Sequence, residues 1–336
     1  MRNVLVILTT AIMAIFVVGC GATSDVVSRG EAPQRQGYEL EAPLYGDVES
    51  LTIRHIQYVP DGDAACGRLF LSVEYKFNSR GDATQIAEYD ADGKIMSRVT
   101  YDYDAEGNLT RQAWYNSAGK MTQNKQCTYV GSRLISEEWL SGGSSRTHRR
   151  DYEYDDQGNR TRERWYNGDV LDTDLCIQYD TAGNMIERAS HKADGSRGDR
   201  ITFTYNSAGD KTGEVFYRPD GEVAHEYAYK YDAEGRNIEF ARLDAAAGKQ
   251  VITYDVAGHK TEVVNYSGDG CKRASEVYEY DSAGNMVEWK SYDGAGNITW
   301  RRTYKYDSMG NETLAEFYSA ESPKPITATR KEIVYR

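Results

Sequence analysis

The stretch that decides the fold runs from Tyr278 to Asn311 and reads YEYDSAGNMVEWKSYDGAGNITWRRTYKYDSMGN. It contains the pattern Tyr-x-Tyr-Asp-x-x-Gly-Asn twice, first at Tyr278 and again 26 residues later at Tyr304. Between these copies large and polar residues alternate with a period of two, which is typical of β-strands and not of helices. The stretch therefore predicts β-hairpins that repeat along the chain.

The same pattern extends over most of the chain as two interleaved series of anchor residues. The first series has steps of 23 to 26 residues and consists of Tyr103, Tyr129, Tyr154, Tyr179, Tyr205, Tyr231, Tyr254, Tyr280 and Tyr306. The second series consists of Tyr89, Tyr115, Leu140, Tyr166, His191, Tyr217, Leu243, Tyr266, Tyr292 and Tyr318. Half-steps are mostly 12 and 14 residues, which leaves strands of about eight residues once a turn of about four is removed.

Turns follow the first-series anchors. Most of these anchors are followed by Asp-x-x-Gly, as in Asp104 to Gly107. Aspartate can accept hydrogen bonds from the backbone ahead of it, and glycine tolerates a positive φ, so this spacing favours a type I turn. We predict an all-β fold: an elongated antiparallel β-meander of about twenty strands, curled or superhelical and one sheet thick. We also expect tyrosine rings to stack across neighbouring strands.

Composition narrows the classes of protein that fit. The 336 residues include 27 Tyr and 31 Gly, 40% are hydrophobic, and the formal net charge is -12. A large aliphatic core is not expected, and the regular aromatic residues argue against disorder. The negative charge disfavours nucleic acid as a partner.

The N-terminus has the features of a targeting signal. Arg2 precedes an uncharged apolar run from Val4 to Val18, which fits the apolar segment of a signal peptide better than a membrane span of ~20 residues. The run ends in Gly19-Cys20 and resembles the cleavage site of bacterial lipoproteins, in which the cysteine is lipidated. The alternative is an uncleaved anchor that happens to end in cysteine.

The lipoprotein interpretation divides the chain into three parts. Residues 1–19 are the signal peptide, 20–50 a flexible tether, and 51–336 the β-hairpin repeat domain, with clear repeats over about 70–318. Gly21 in place of aspartate favours the outer membrane over the inner one, by resemblance to the enterobacterial sorting rule. Acyl chains on Cys20 would hold the protein at the membrane.

The recurring Tyr-x-Tyr-Asp-x-x-Gly-Asn resembles the YD repeat of the Rhs-type bacterial surface proteins over roughly Phe70 to Tyr318. The resemblance implies spiralling sheets of β-hairpins, which in long family members enclose a secreted toxin. This chain departs from the family in its longer 26-residue doublet, in lacking the Asp-Pro-containing core motif, and in its short tail from Ser319 to Arg336. We therefore expect a repeat-only envelope lipoprotein without a toxin domain.

The sequence offers no clear catalytic or metal-binding constellation, so we expect a non-enzymatic protein without metal or cofactor. The repeated aspartates are interpreted as turn formers, since a calcium loop that would start at Asp102 has Ala113 where a bidentate glutamate is needed. The histidines show no ligand spacing: His55, His148, His191, His225 and His259. Cys66, Cys127, Cys176 and Cys271 are expected to be free thiols, since Cys127 and Cys176 map to opposite faces.

Two functions remain open. The first is a non-catalytic, lipid-anchored scaffold or interaction surface of the cell envelope, with an envelope protein or a surface polysaccharide as partner. The second is a glycan- or peptidoglycan-binding module, in which aromatic rings stack on sugars. The candidate binding surface then includes Trp114, Trp165, Trp289 and Trp300. The alternative for these rings is that they only cover one another in a thin sheet.

Replacement of Cys20 by alanine tests the lipid anchor. We expect Cys20→Ala to abolish incorporation of radiolabelled palmitate, because the thiol that carries the first lipid is gone. The measurement is labelling of cells followed by immunoprecipitation of the protein. Retention of the label in the variant would rule out lipidation at this cysteine.

Overall fold

The computed structural model describes residues 44–58, 67–142, 145–243, 247–320 and 322–336. None of these residues belongs to a helix that could span a membrane. The strands are β1 (Val48–Gln57), β2 (Arg68–Phe77), β3 (Ala83–Asp90), β4 (Ile95–Tyr103), β5 (Leu109–Asn116), β6 (Met121–Val130), β7 (Arg133–Ser141), β8 (Ser145–Tyr154), β9 (Arg160–Asn167), β10 (Val170–Tyr179), β11 (Met185–Lys192), β12 (Arg197–Tyr205), β13 (Lys211–Tyr217), β14 (Val223–Tyr231), β15 (Asn237–Arg242), β16 (Gly248–Tyr254), β17 (Lys260–Ser267), β18 (Lys272–Tyr280), β19 (Met286–Asp293), β20 (Ile298–Tyr306), β21 (Glu312–Ser319) and β22 (Thr327–Tyr335).

The strands form one antiparallel sheet that closes on itself. Each strand pairs with the next along the chain, and β1 also pairs antiparallel with β22. The predicted all-β antiparallel meander is confirmed. The predicted curled or superhelical open sheet is wrong, because the described residues form a closed barrel of twenty-two strands.

The closing strand comes from the tail that follows the last anchor. β22 has no Tyr-Asp turn, so the period of the repeat does not reveal it. Its pairing with β1 runs from Thr327 opposite Gln57 to Tyr335 opposite Val48. Closure gives both terminal strands a partner for backbone N–H and C=O groups that an open sheet would leave exposed. β1 begins at Val48, three residues before the expected start of the folded body.

The Asp-x-x-Gly segments form the predicted hairpin turns. In the turn after β18 the Gly284 N–H donates to the Asp281 carbonyl at 3.0 Å, and Gly284 has a φ of 80°. One carboxylate oxygen of Asp281 accepts the backbone N–H groups of Ala283 and Asn285 at 2.9 and 2.8 Å. The side-chain amide of Asn285 donates to the other oxygen at 2.8 Å. The aspartate and the asparagine therefore satisfy each other and the turn backbone.

A tyrosine hydroxyl ties each hairpin to the one before it. Every first-series anchor donates its O–H to a carbonyl of the preceding hairpin. From Tyr129 onwards the acceptor is the residue that pairs with the preceding anchor, as Leu109 pairs with Tyr103, and for Tyr103 it is Ala83, the partner of Phe77. The acceptors, in chain order, are Ala83, Leu109, Leu134, Arg160, Met185, Lys211, Asn237, Lys260 and Met286. A shift in strand register occurs at each of these tyrosines, and such bulges re-aim the side chain.

The second-series anchors lie on the opposite face of the sheet and meet cations on alternate repeats. The tyrosine rings at steps of 49 to 52 residues each lie under the arginine or lysine that pairs with them across the strand. The pairs are Arg98 with Tyr115, Arg149 with Tyr166, Arg200 with Tyr217, Lys249 with Tyr266, and Arg301 with Tyr318. The first-series hydroxyls and these five second-series rings thus use polar partners, whereas stacking on other rings was predicted. Tyr280 does stack on a ring, that of His259.

The fully buried side chains concentrate at the seam where the barrel closes. Val48 and Leu51 of β1 are 0% and 1% exposed and pack with Phe77 and Tyr101 of the following strands. Leu44, which precedes β1, joins the same cluster. The seam is therefore the best-packed region of the described chain, and most other strand residues are half-buried.

Asn311 locks the seam at the end of the barrel that carries the Asp-x-x-Gly turns. Its side chain is fully buried, accepts the Tyr45 backbone N–H at 2.6 Å and donates to the Tyr45 carbonyl at 3.0 Å. The same amide donates to the Tyr335 hydroxyl at 2.6 Å. The guanidinium of Arg336 also reaches the carbonyls of Phe77 and Asn78 at 2.7 and 2.8 Å.

Loss of one anchor hydroxyl is expected to destabilise the barrel. Tyr306→Phe removes the bond to the Met286 carbonyl, 2.7 Å long, and should lower the free energy of unfolding by about 1 kcal/mol. Urea denaturation of the variant measures this change. Tyr217→Phe is the matched control, because the Tyr217 ring contacts Arg200 through its face and keeps that contact. Equal losses in the two variants would contradict a special role of the anchor hydroxyls.

Removal of the Asn311 amide is expected to lower the free energy of unfolding more than the loss of one anchor hydroxyl. Asn311→Ala leaves the N–H and carbonyl of Tyr45 without their partner and should lower the free energy of unfolding by about 2 kcal/mol. Asn184→Ala is the control, since Asn184 holds the same place in its repeat but its amide bonds Asp180 in a hairpin away from the seam. Urea denaturation measures both variants. A decrease in the free energy of unfolding for Asn311→Ala no larger than that for Asn184→Ala would contradict the stabilising role of Asn311 at the seam.

Candidate aromatic binding cleft

All five tryptophans of the chain lie on the face that carries the first-series anchors. Strand register puts them there: Trp114 pairs with Val99, which is two residues from the anchor-side Tyr101, and the pairing continues around the barrel. Trp114 lies on β5, Trp139 on β7, Trp165 on β9, Trp289 on β19 and Trp300 on β20. The predicted candidates Trp114, Trp165, Trp289 and Trp300 therefore share a face but not one cluster.

The tryptophans fall into two regions of this face. Trp289 and Trp300 lie on adjacent strands, where Trp289 Nε1 donates to Glu276 at 3.2 Å and Trp300 stacks on Phe317 with ring centroids 5.0 Å apart. Trp165 lies on β9, and Trp139 lies on β7, on the other side of β8. The second region opens into a cleft with polar walls.

We call this second region the Trp139–Trp165 cleft. Its volume is about 390 Å³. It lies at the strand ends away from the Asp-x-x-Gly turns that follow the first-series anchors. The lining residues are Gln123, Trp139, His148, Arg149, Arg150, Trp165, Tyr166, Asn167 and Asp172. Trp114 borders the cleft through Gln123, its cross-strand partner on β6. Aromatic walls with a few amide, imidazole and charged groups are typical of sites that bind small polar molecules.

Arg150 lies between the two indole rings of the cleft. Its guanidinium carbon is 5.2 Å from the ring centroid of Trp139 and 4.7 Å from that of Trp165. Trp165 is its cross-strand partner, and Trp139 lies on the neighbouring strand on the other side. Cation–π contacts on two sides hold the planar guanidinium in place while the rings limit its hydration.

Other arginines of the same strands are neutralised by carboxylates. The ion pairs join Arg146 to Asp169, Arg149 to Asp151, Arg160 to Glu163, Arg162 to Asp174 and Arg164 to Glu153. Arg150 has no ion pair and no hydrogen bond to any residue that the structure describes. Its guanidinium nitrogens have no partner within the described residues and are not buried, so they reach solvent.

The carboxylate opposite Arg150 is occupied by other donors. Glu137 pairs across the strands with Arg150, is 9% exposed, and accepts the Lys125 ammonium at 2.9 Å and the Tyr152 hydroxyl at 2.5 Å. Burial alone would raise the pKa of Glu137, but these hydrogen bonds and the charges of Lys125 and Arg150 outweigh it and hold the pKa below its ordinary value. Glu137 is therefore ionised and already balanced by Lys125.

Cys127 lies beside this buried carboxylate. Its sulfur is 3.9 Å from Glu137, and burial raises the pKa of the thiol to about 11. A neutral, half-buried thiol is a poor nucleophile. The prediction of free thiols is confirmed for Cys127, Cys176 and Cys271. Cys66 and Cys20 lie outside the described residues.

The histidines are not brought together. His148 lines the cleft, whereas His259 lies in a hairpin turn, where it contacts Asp255 at 3.0 Å and stacks on Tyr280 at 4.7 Å. His55, His191 and His225 lie on separate strands, β1, β11 and β14. Within the described ranges no group of three His, Cys, Asp or Glu side chains is placed to hold a metal ion.

Trp139 and Arg150 are cleft residues that the sequence did not single out. A signal for Trp139 was present, because Trp114, Trp139 and Trp165 each directly precede a second-series anchor. In the case of Trp139 that anchor is Leu140, which hides the Trp-Tyr pair seen at the other two positions. Arg150 had no such signal, since only its three-dimensional setting separates it from the other arginines of β8 and β9.

Comparison with known proteins gives structural similarities only. No family model matches the chain, and no curated protein matches it. The structure of TcdB2-TccC3-TEV is 13% identical, with a TM-score of 0.35 over 82% of this chain and 19% of that chain. The Tc holotoxin pore of Photorhabdus luminescens is 14% identical, with a TM-score of 0.28 over 78% of this chain and 18% of that one.

A porin-like protein from Bacteroides uniformis ATCC 8492 is 12% identical, with a TM-score of 0.31 over 85% of this chain and 96% of that chain. This chain spans about a fifth of the length of the TcdB2-TccC3-TEV and holotoxin chains that it matches. Identities and TM-scores at this level carry no functional statement from those proteins to this one.

Proposed function

We propose that this protein is a non-catalytic, lipid-anchored scaffold of the cell envelope that binds a surface polysaccharide in the Trp139–Trp165 cleft. The anchor is Cys20, and Gly21 favours the outer membrane as its location. The observation that carries the proposal is the pair of indole rings that walls a cleft of about 390 Å³ lined by amide, imidazole and guanidinium groups.

The composition of the cleft suits a sugar chain. Pyranose rings present flat C–H surfaces that pack against aromatic rings and hydroxyl groups that need hydrogen-bond partners. Gln123, His148 and Asn167 supply donors and acceptors beside the indoles of Trp139 and Trp165. Of the two functions that the sequence leaves open, the cleft thus favours glycan as the ligand over an envelope protein.

The carboxylates around the cleft support binding without cleavage. Hydrolysis of glycosidic bonds generally needs two carboxyl groups that flank the scissile bond. Among the lining residues Asp172 is the one carboxylate, and it accepts the Thr173 hydroxyl at 2.9 Å. Glu163, on the adjacent strand, is engaged by Arg160 at 2.9 Å and by Trp165 Nε1 at 3.2 Å.

Removal of the indoles tests the proposal. Trp139→Ala and Trp165→Ala should each weaken retention of the full-length protein in affinity gels that contain cell-envelope polysaccharide by about tenfold, because each removes one wall of the cleft. Trp300→Ala is the matched control: this ring is 41% exposed on the same face but lies far around the barrel on β20. Far-UV circular dichroism must show that the three variants fold alike.

Two results would contradict the proposal. One is that the wild-type protein is not retained by any envelope polysaccharide. The other is that Trp300→Ala weakens retention as much as the cleft variants, since the loss would then reflect the whole face and not the cleft.

A further inference from the structure

We infer that the polysaccharide bound in the Trp139–Trp165 cleft is acidic, with a uronate carboxylate that Arg150 binds through paired N–H donors. This inference rests on the proposed function and specifies its ligand. It starts from the contrast between Arg150 and its neighbours. Five arginines of β8 and β9 contact carboxylates of the protein, whereas Arg150, within the described residues, contacts only two indole rings.

The setting of Arg150 keeps its donors available to a ligand. A guanidinium has five N–H donors in a rigid plane, and a carboxylate matches two of them at once. The rings of Trp139 and Trp165 flank the group and occupy none of these donors as hydrogen-bond acceptors. A cation that is partly shielded from water and has no direct ion pair gains from an anion that a ligand brings.

The carboxylate that lies opposite Arg150 across the strands is bound by other groups. Glu137 is the cross-strand partner of Arg150, but its two oxygens bind Lys125 and Tyr152. Asp172, on the cleft wall, accepts the Thr173 hydroxyl and makes no ion pair within the described chain. The local arrangement therefore leaves the guanidinium of Arg150 without a direct ion pair to any described residue at the centre of the cleft.

The surroundings favour an acidic sugar over an acidic peptide. The formal net charge of -12 opposes the approach of any polyanion, so an acidic ligand needs contacts besides charge. Two indoles for ring packing and the polar groups of Gln123 and Asn167 for hydroxyls supply such contacts. A sugar that carries one carboxylate per ring uses the indoles, the amides and Arg150 together.

A matched pair of polymers tests the inference on the full-length protein. The probes are polygalacturonate and its fully methyl-esterified form, which differ in that each carboxylate is replaced by a neutral methyl ester. We expect affinity electrophoresis to show about tenfold tighter binding of the wild-type protein to the acid than to the ester, the effect of one charge-assisted contact. Arg150→Gln should remove this preference.

Two further variants separate the geometry of Arg150 from its charge and from general electrostatics. Arg150→Lys keeps the positive charge but loses the paired donors, so the preference for the acid should fall severalfold. Lys120→Gln makes the same change in net charge in an exposed turn at the same end of the barrel and should leave the preference intact. Dextran sulfate serves as a polymer with a non-planar anion and should bind more weakly than polygalacturonate.

The outcomes distinguish this inference from the proposed function. Equal binding of the acid and the ester, with both lost in Trp139→Ala, would overturn the inference and leave glycan binding in place. Binding of dextran sulfate as tight as that of polygalacturonate, or a preference unchanged in Arg150→Gln, would also overturn it. Failure to bind either galacturonan together with failure to bind any envelope polysaccharide would overturn the proposed function itself.

Discussion

The barrel depends on one repeated contact, the hydrogen bond from a tyrosine hydroxyl to a carbonyl of the preceding hairpin. Strand pairing alone joins neighbours through backbone groups and would leave the register between hairpins weakly specified, since most strand residues are only half-buried. The hydroxyl of Tyr205, for example, reaches the Met185 carbonyl at 2.7 Å only when the bulge and the turn are both in place. Side chain, bulge and turn therefore specify one another in each repeat.

Much of this architecture is predictable because its signals are local. The Asp-x-x-Gly turn, the alternation of residues and the spacing of anchors each depend on residues close in sequence, so strands such as β19 and β20 follow from Tyr278 to Tyr306 alone. Closure depends on the pairing of β1 with β22, residues nearly 290 positions apart, such as Val48 and Tyr335. Neither strand contains the repeat pattern, so no local signal predicts that they meet.

The cleft likewise combines residues that the local sequence predicts with residues whose role depends on the three-dimensional structure. Trp165 was predictable as a candidate because tryptophan is rare and its position in the repeat is regular. The importance of Arg150 was not predictable, since a sequence rich in arginine and acidic residues does not show which charge remains unpaired. That depends on Glu137 binding Lys125 and Tyr152 across three strands. The selectivity that we propose for the cleft thus rests on an arginine that, unlike its neighbours on β8 and β9, has no ion pair within the part of the chain that the structure describes.

The alternation of cation-covered tyrosines has a consequence for how the number of strands in such a barrel can change. β1 and β22 can pair antiparallel only if the number of strands is even, so gain or loss of a single strand would prevent closure. Gain or loss of one hairpin keeps that number even and allows closure. Within the repeats the covered tyrosines recur every four strands, about 51 residues, as from Tyr166 to Tyr217, so a block of that size inserted between β5 and β21 also keeps their alternation. Across the seam the alternation is interrupted, because the six strand steps from β21 to β5 are not a multiple of four.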